Sequence, residues 1–451
     1  MKNFANVGRL SVSLAALMFL FLGCGDNNNT SQPPPQEPPD SLQENDRAIV
    51  DYANKLLEEG RDIFRFDTFG SEAFWGDSLQ LHRAIAGEAN GGVGPGLSPN
   101  AALALGIKVD MDVLPAALVQ GIQAGQVNLD DPATTLELLK LDAVLGIKGT
   151  FDAEQRLASV GLRCAVCHST VDDTFSEGIG HRLDGWPNRD LNVGAIIALS
   201  PETTPLTDLL GVDKPTLLNV LNSWGPGKFD AQLFLDGQGF RPDGKTAAVL
   251  IPPAYGLAGV NLHTYEGWGS VPYWNAFVAN LEIRGKGTFF DPRLDATQFP
   301  ISSQAGFGDV RNSPDLITSK LAALHFYQLA IPAPQAPPGS FEEVAAERGK
   351  VVFNEKGKCA TCHVPPLFTE PGWNTHTAAE IGIDDFQANR GPDRRYRTTP
   401  LAGLWARQKG GFYHDGRFPT LEAVVDHYNG VLNIALTEQE KVDLVEYLKS
   451  I

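Results

Sequence analysis

The chain of 451 residues is 43% hydrophobic and carries a formal charge of −18. That is enough apolar material for two or three buried cores. The acidity excludes nucleic acid or an anionic membrane surface as what the folded body binds, and leaves a basic protein partner open.

Residues 1–23 read as a lipoprotein signal peptide. Lys2 and Arg9 flank an apolar run, Leu10 to Leu22, which is too short to span a bilayer and of signal length. Gly23-Cys24 then offers a thiol for lipidation, and export follows on this reading or on ordinary signal cleavage. Residues 24–45, with Pro33-Pro34-Pro35 and Pro38-Pro39, cannot bury a core and read as an extended tether. The expected location is the periplasmic side or the outer membrane, held by lipid alone.

From Asp46 helical spacing dominates: Ala48, Tyr52, Leu56 and Leu57, then Leu136, Leu138, Leu139, Leu141 and Val144. Phe64, Phe66, Phe69, Phe74 and Trp75 lie between them, an aromatic cluster that is either core or the roof of a pocket. A short helix is predicted over 153–161, leading into Cys164-Ala165-Val166-Cys167-His168. C-x-x-C-H is the spacing that attaches a c-type haem: two thiols take the porphyrin vinyl groups and the adjacent imidazole faces the iron. Between 200 and 300 periodicity fades and Gly and Pro become dense, as in Trp224-Gly225-Pro226-Gly227 and Ile251-Pro252-Pro253, which predicts functional loops. Helical spacing returns over 316–329.

A Pro-rich hinge, 332–340, precedes a predicted helix over 341–353 capped by Ser340, then a second motif, Cys359-Ala360-Thr361-Cys362-His363, and a closing helix over 437–449. The expected fold is mainly α: two cytochrome c-like haem domains, 46–331 and 341–451, the first with a long loop-rich elaboration. Two haem c groups are the expected cofactors. A shared zinc site would need four ligands closer in sequence, and dithiol redox chemistry a βαβ surround. The motifs use four of the five cysteines and Cys24 the fifth, leaving none for a disulfide.

His168 and His363 are the expected proximal ligands. Methionine is a poor candidate for the opposite side, since of three in the chain Met1 and Met18 leave with the signal peptide and Met111 is far from both motifs. Among the other histidines, His414 is expected to pack beside the second haem, His325 to lie in the core, and His181 to reach the first iron or sit solvated in its loop.

Arg397-Thr398-Thr399-Pro400-Leu401, Phe412-Tyr413-His414-Asp415-Gly416 and Thr420-Leu421-Glu422 resemble the C-terminal half of the bacterial di-haem cytochrome c peroxidase superfamily, which also contains the tryptophylquinone maturation enzyme and the rubber oxygenase. The resemblance covers most of 341–451. It implies a peroxidase-like oxidoreductase whose first haem meets H₂O₂ or O₂ and whose second passes electrons from a redox partner protein or a small donor. Tyr265-Glu266-Gly267 stands where the family has an aromatic-Asp-Gly segment between its haems. Past Asp291-Pro292, where peroxidases place a glutamate two residues on, this chain has Leu294 and then Asp295. Tyr265, Glu266 and Asp295 are therefore the candidate catalytic residues.

Two other readings stay open. Trp224-Gly225-Pro226-Gly227 and the Phe69–Trp75 segment resemble the rubber-oxygenase branch, implying an oxygenase of an apolar substrate; a pure electron carrier is the third. More chain surrounds the first motif than a carrier needs, which favours an enzyme. The family often holds Ca²⁺ through backbone carbonyls, here those of Thr398 and Pro400. On a predicted helix over 420–429, Leu421, Val424, Val425 and Tyr428 share one face, with His427 about 100° to its side. The resemblance puts the peroxidases' distal methionine at Tyr428, and the maturation enzyme uses a tyrosine there. The rubber oxygenase is bis-histidine, and neutral imidazole is the readier ligand at pH 7. His427 is therefore expected at the second iron, with Tyr428 the alternative.

Overall fold

A computed structural model describes residues 43–451, so the predicted signal peptide, Cys24 and residues 24–42 of the tether lie outside the described residues. Residues 43–51 begin a helix, Glu44–Phe66, and are exposed. Residues 52–451 form one compact unit, mainly α, with five two-stranded sheets among the described residues. No helix among the described residues is long and apolar enough to cross a membrane.

Pro226, Pro252 and Pro253 lie outside helices, as the loop reading expects, but three other prolines between 200 and 300 begin helices. Pro205, Pro215 and Pro272 sit in the first turns of Thr204–Leu210, Lys214–Ser223 and Val271–Phe277, where a missing N–H breaks no helical bond. Asp213 caps the second by accepting from the Thr216 amide at 2.9 Å.

The helix expected over 153–161 is instead a strand, Leu157–Leu162, antiparallel to Ile147–Phe151. Asp152 closes the hairpin by accepting from the Arg156 amide at 2.8 Å. Leu157 and Val160 turn into the core, and a Cβ at Gly161 would meet the Glu72 carboxyl at 2.8 Å. The strand delivers Cys164 to a single helical turn, Ala165–His168, after which Ser169–Val171 pairs with Arg182–Asp184. Two amides hold the motif's carbonyls at 2.8 Å: Gly185 on His168 and Asn188 on Cys167.

On the C-terminal side, helix Glu343–Asn354 packs on helix Glu438–Ser450. Their backbones touch at Gly349, where a Cβ would stand 1.9 Å from the Asp443 carbonyl. Glu342 rather than Ser340 caps the first, accepting from Val344 and Ala345, because the Ser340 hydroxyl donates to Pro337. Thr437 and Glu440 form a capping box at the second, and Thr420 caps Leu421–Val431.

The buried apolar clusters divide at 332–340: those before it draw on residues 64–331, those after it on 352–448. Polar contacts cross between them. Arg390 pairs with Asp230 at 2.9 Å and Asp236 at 2.7 Å, and Arg241 with Asp384 at 2.7 Å and Asp415 at 3.0 Å.

Candidate functional site

Around the first motif, burial pushes the Cys164 and Cys167 thiols up to about 12. It takes the His168 imidazole down to about 4, against a small upward pull from the Pro252 carbonyl. His168 is thus neutral at pH 7, the form that ligates a metal, and its buried Nδ1 has no partner within the protein. Phe64 and Phe69, fully buried, pack with Ala165 and Cys164, and Trp75 is buried in the neighbouring cluster, so these rings are core, whereas Phe66 is exposed.

Asp184 anchors this layer, accepting from Arg65 at 2.5 Å, the Tyr327 hydroxyl at 2.6 Å, Ser169 at 2.8 Å and Arg182 at 2.9 Å. Burial alone would raise its pKa, but Arg182 and the other donors outweigh it and hold the group ionised.

The acid near this motif is not the expected one. Asp295 is exposed and spends its carboxylate on the amides of Thr297 and Gln298, while Leu294 sinks into the cluster of Phe277 and Phe299. The acid beside the motif is Glu282, half-buried at the end of a π-helical turn, Val278–Glu282, a geometry frequent at functional sites. Burial, opposed by Arg284 and reinforced by Asp230, pushes its carboxyl up to about 8. It lies close enough to Cys167 to act on its ionisation, and its Oε2 has no partner. Arg284, at φ +64°, is ringed by Phe74, Phe234 and Phe307 with its guanidinium 5.2, 5.5 and 4.6 Å from their centroids.

The second motif sits on the short turn Cys359–Thr361 beside an internal cavity of about 280 Å³, far more than a few waters occupy. Cys359, Cys362, His363, His414 and Tyr428 line it together with Leu421, Val425 and Leu448. Nδ1 of His363 donates to the Phe368 carbonyl at 3.0 Å, which fixes the tautomer that leaves Nε2 a free lone pair. Burial lowers this imidazole to about 4.

His427 does not line the cavity. Its Nε2 donates to the Ile381 carbonyl at 2.8 Å and its ring packs on Phe418 at 4.7 Å. Leu421 and Val425 are buried and set the helix face, and Tyr428 comes round with them while His427 is carried to the side. His414 lines the cavity, stacked on Tyr396 at 5.4 Å with its buried Nε2 unpartnered.

Tyr265 lines the same cavity, edge-on to His414 at 6.2 Å, but Glu266 is engaged elsewhere, accepting from Gln387 and, at 3.3 Å, from Gln232. The segment Leu250–Pro252 joins the two sites: the Leu250 amide donates to the His414 carbonyl at 2.7 Å, the Tyr265 hydroxyl donates to the Leu250 carbonyl at 3.1 Å, and the Pro252 carbonyl stands beside His168. His181 is exposed and paired with Asp112 at 2.6 Å. Among the described residues one group of metal-binding type occurs, Cys362, Glu370 and His376, whose sulfur belongs to the second motif.

Two half-buried C-x-x-C-H turns with neutral imidazoles, one opening on a cavity with unpartnered polar atoms in its wall, have the donor set of a di-haem c-type cytochrome. The methylamine utilization protein MauG of Methylorubrum extorquens is 26% identical over 234 residues, covering 44% of this chain and 63% of that protein, so the match spans less than two thirds of its relative. With the motifs, this similarity supports the bacterial di-haem cytochrome c peroxidase superfamily. No family model matches. Similar solved structures include a MauG-like protein associated with microbial copper homeostasis, 18% identical over 49% of this chain and 79% of that one with a TM-score of 0.30. Hydrazine synthase of Kuenenia stuttgartiensis is 19% identical over 49% of this chain and 86% of that one, with a TM-score of 0.27.

Proposed function

We propose that the chain is an exported di-haem oxidoreductase of peroxidase-like kind. Haem c is held by Cys164, Cys167 and His168 in a domain 46–331, and by Cys359, Cys362 and His363 in a domain 341–451. The first set of residues would hold the haem that meets H₂O₂ or O₂, and the second set the haem that would supply its electrons. Bound haem supplies the iron that meets the oxidant and the one-electron chemistry.

What supports an enzyme over a carrier is Glu282, a half-buried acid beside the first motif whose carboxyl burial pushes up to about 8 and whose Oε2 has no partner. The chain's own contribution follows from its residues: Phe64 and Phe69 exclude water, Glu282 holds a proton at Oε2, and Leu250–Pro252 couples the two sites. A haem stain after denaturing electrophoresis, with intact mass, should find two porphyrins, and the reduced protein should bind CO at one haem. A carrier would bind none, and turnover of H₂O₂ with an electron donor, set against O₂-dependent cleavage of an apolar polymer, separates peroxidase from oxygenase.

Tyr428, not His427, would bind the second haem in this reading, since it alone of the two lines the cavity. Tyr428→Phe should turn the second haem high-spin in low-temperature EPR, while His427→Ala leaves its spectrum intact; the reverse pattern returns the role to His427. Anchoring through Cys24 is checked by Cys24→Ser, expected to move the protein from the membrane to the soluble fraction.

A further inference from the structure

Three arginines, Arg189, Arg397 and Arg407, line the cavity around His363. Arg189 comes from a segment some 200 residues before the one that carries Arg397 and Arg407, and among the described residues none of the three has a carboxylate within ion-pair distance. Arg189 and Arg407 are 8% and 7% exposed, and Nε of each is buried without a partner. What they do touch is neutral. Arg397 donates to the carbonyls of Thr264 and Leu262, Arg407 to that of Pro400, and Arg189 reaches the Lys409 carbonyl at 3.5 Å. Burial and then Arg407 push Arg397 down to about 10, and Arg407 also acts on His363. Three cations in a poorly hydrated wall with free N–H groups are an incomplete arrangement, because unpaired buried charge is strongly destabilising.

The carbonyls that the family resemblance implied for calcium are taken. That of Thr398 accepts from the Thr369 hydroxyl and that of Pro400 from Arg407. A divalent cation on the Pro400 oxygen would stand against the Arg407 guanidinium that donates to it, like charge against like charge. The residues present do not fit calcium.

We infer that the arginine cluster replaces the ion at this junction and binds carboxylates, namely the propionates of the second haem, a conclusion that rests on the haem reading above. Guanidinium groups match carboxylates through paired N–H donors, and the unpartnered Nε atoms of Arg189 and Arg407 are donors of that kind.

The test uses the purified holo-protein, with haem counted first by its pyridine complex, so that a failure of the haem reading is seen separately. Metal analysis should find no stoichiometric calcium, and neither a chelator nor millimolar calcium should move the visible spectrum or the melting temperature. Arg407→Gln should lower the reduction potential of the second haem and leave that of the first, because it removes a positive charge beside one iron, and Arg407→Lys should recover most of the shift. If Arg407→Gln does not fold, Arg189→Gln carries the same measurement. Acetate or phosphate added to the native protein should give no saturable change. One bound calcium per chain, an unmoved potential, or a saturable acetate response revealing a site open to free anions would each overturn the proposal.

Discussion

Glu282→Gln is expected to slow H₂O₂ turnover roughly 10²- to 10⁴-fold, the usual contribution of a positioned proton donor, while CO binding by the reduced protein is retained. Glutamine keeps the shape and the hydrogen-bonding capacity but has no acidic proton. With the carboxyl at about 8, the acid form prevails below that pH, so native turnover should decline above pH 8 and the variant's residual activity should show no such limb. Stability provides the control. In the unfolded chain Glu282 ionises near 4.5 while the folded protein keeps the proton until about 8, so this group's contribution to folding falls as pH rises between the two. The variant removes that penalty, and its melting temperature at pH 8 should equal or exceed the native one. Normal turnover in a well-folded Glu282→Gln protein would show that the proton comes from another group.

What was legible beforehand follows from range. Both C-x-x-C-H motifs, the Thr420 and Thr437 caps and the apolar face of Leu421 and Val425 are local signals and were readable. The face carrying Tyr428 was readable too, and the preference for His427 came from ligand chemistry, against which the burial of Leu421 and Val425 decided the helix rotation. Glu282 was hidden because an acid in an apolar run gains its meaning from a π-helical turn set by tertiary packing. Arg189, Arg397 and Arg407 were hidden because segments some 200 residues apart in sequence meet only in the fold. Proline density marked the loops at Pro226 and Pro252-Pro253 but hid the helices that Pro205, Pro215 and Pro272 begin, since proline marks a helix start as readily as a loop.

Arg390→Met should destabilise the fold by about 3–5 kcal/mol, the range for removing one partner from a buried ionic group. Arg390 is 2% exposed, with Nη2 2.9 Å from Asp230 and 3.0 Å from Asp236, Nε 2.7 Å from Asp236, Nη1 3.3 Å from the Ala247 carbonyl, and the Phe386 ring 5.5 Å from its guanidinium. Even with this partner, burial pushes Asp230 up to about 6. Without it, two buried carboxylates would have to ionise unpaired at pH 7 or take up protons. The sign of the pH effect follows. Asp230 would bind its proton still more tightly in the folded variant than in the unfolded chain, so the defect should be smallest near pH 5 and grow as pH rises toward 8. Arg390→Met combined with Asp230→Asn and Asp236→Asn should regain most of the loss, because the buried charge is then gone from both sides. The apolar clusters on either side of 332–340 are separate, so a weakened polar junction should also speed proteolysis at that hinge before either cluster melts. A single variant with native melting and an uncut hinge would mean that apolar contacts, not this ionic group, hold the two sides together.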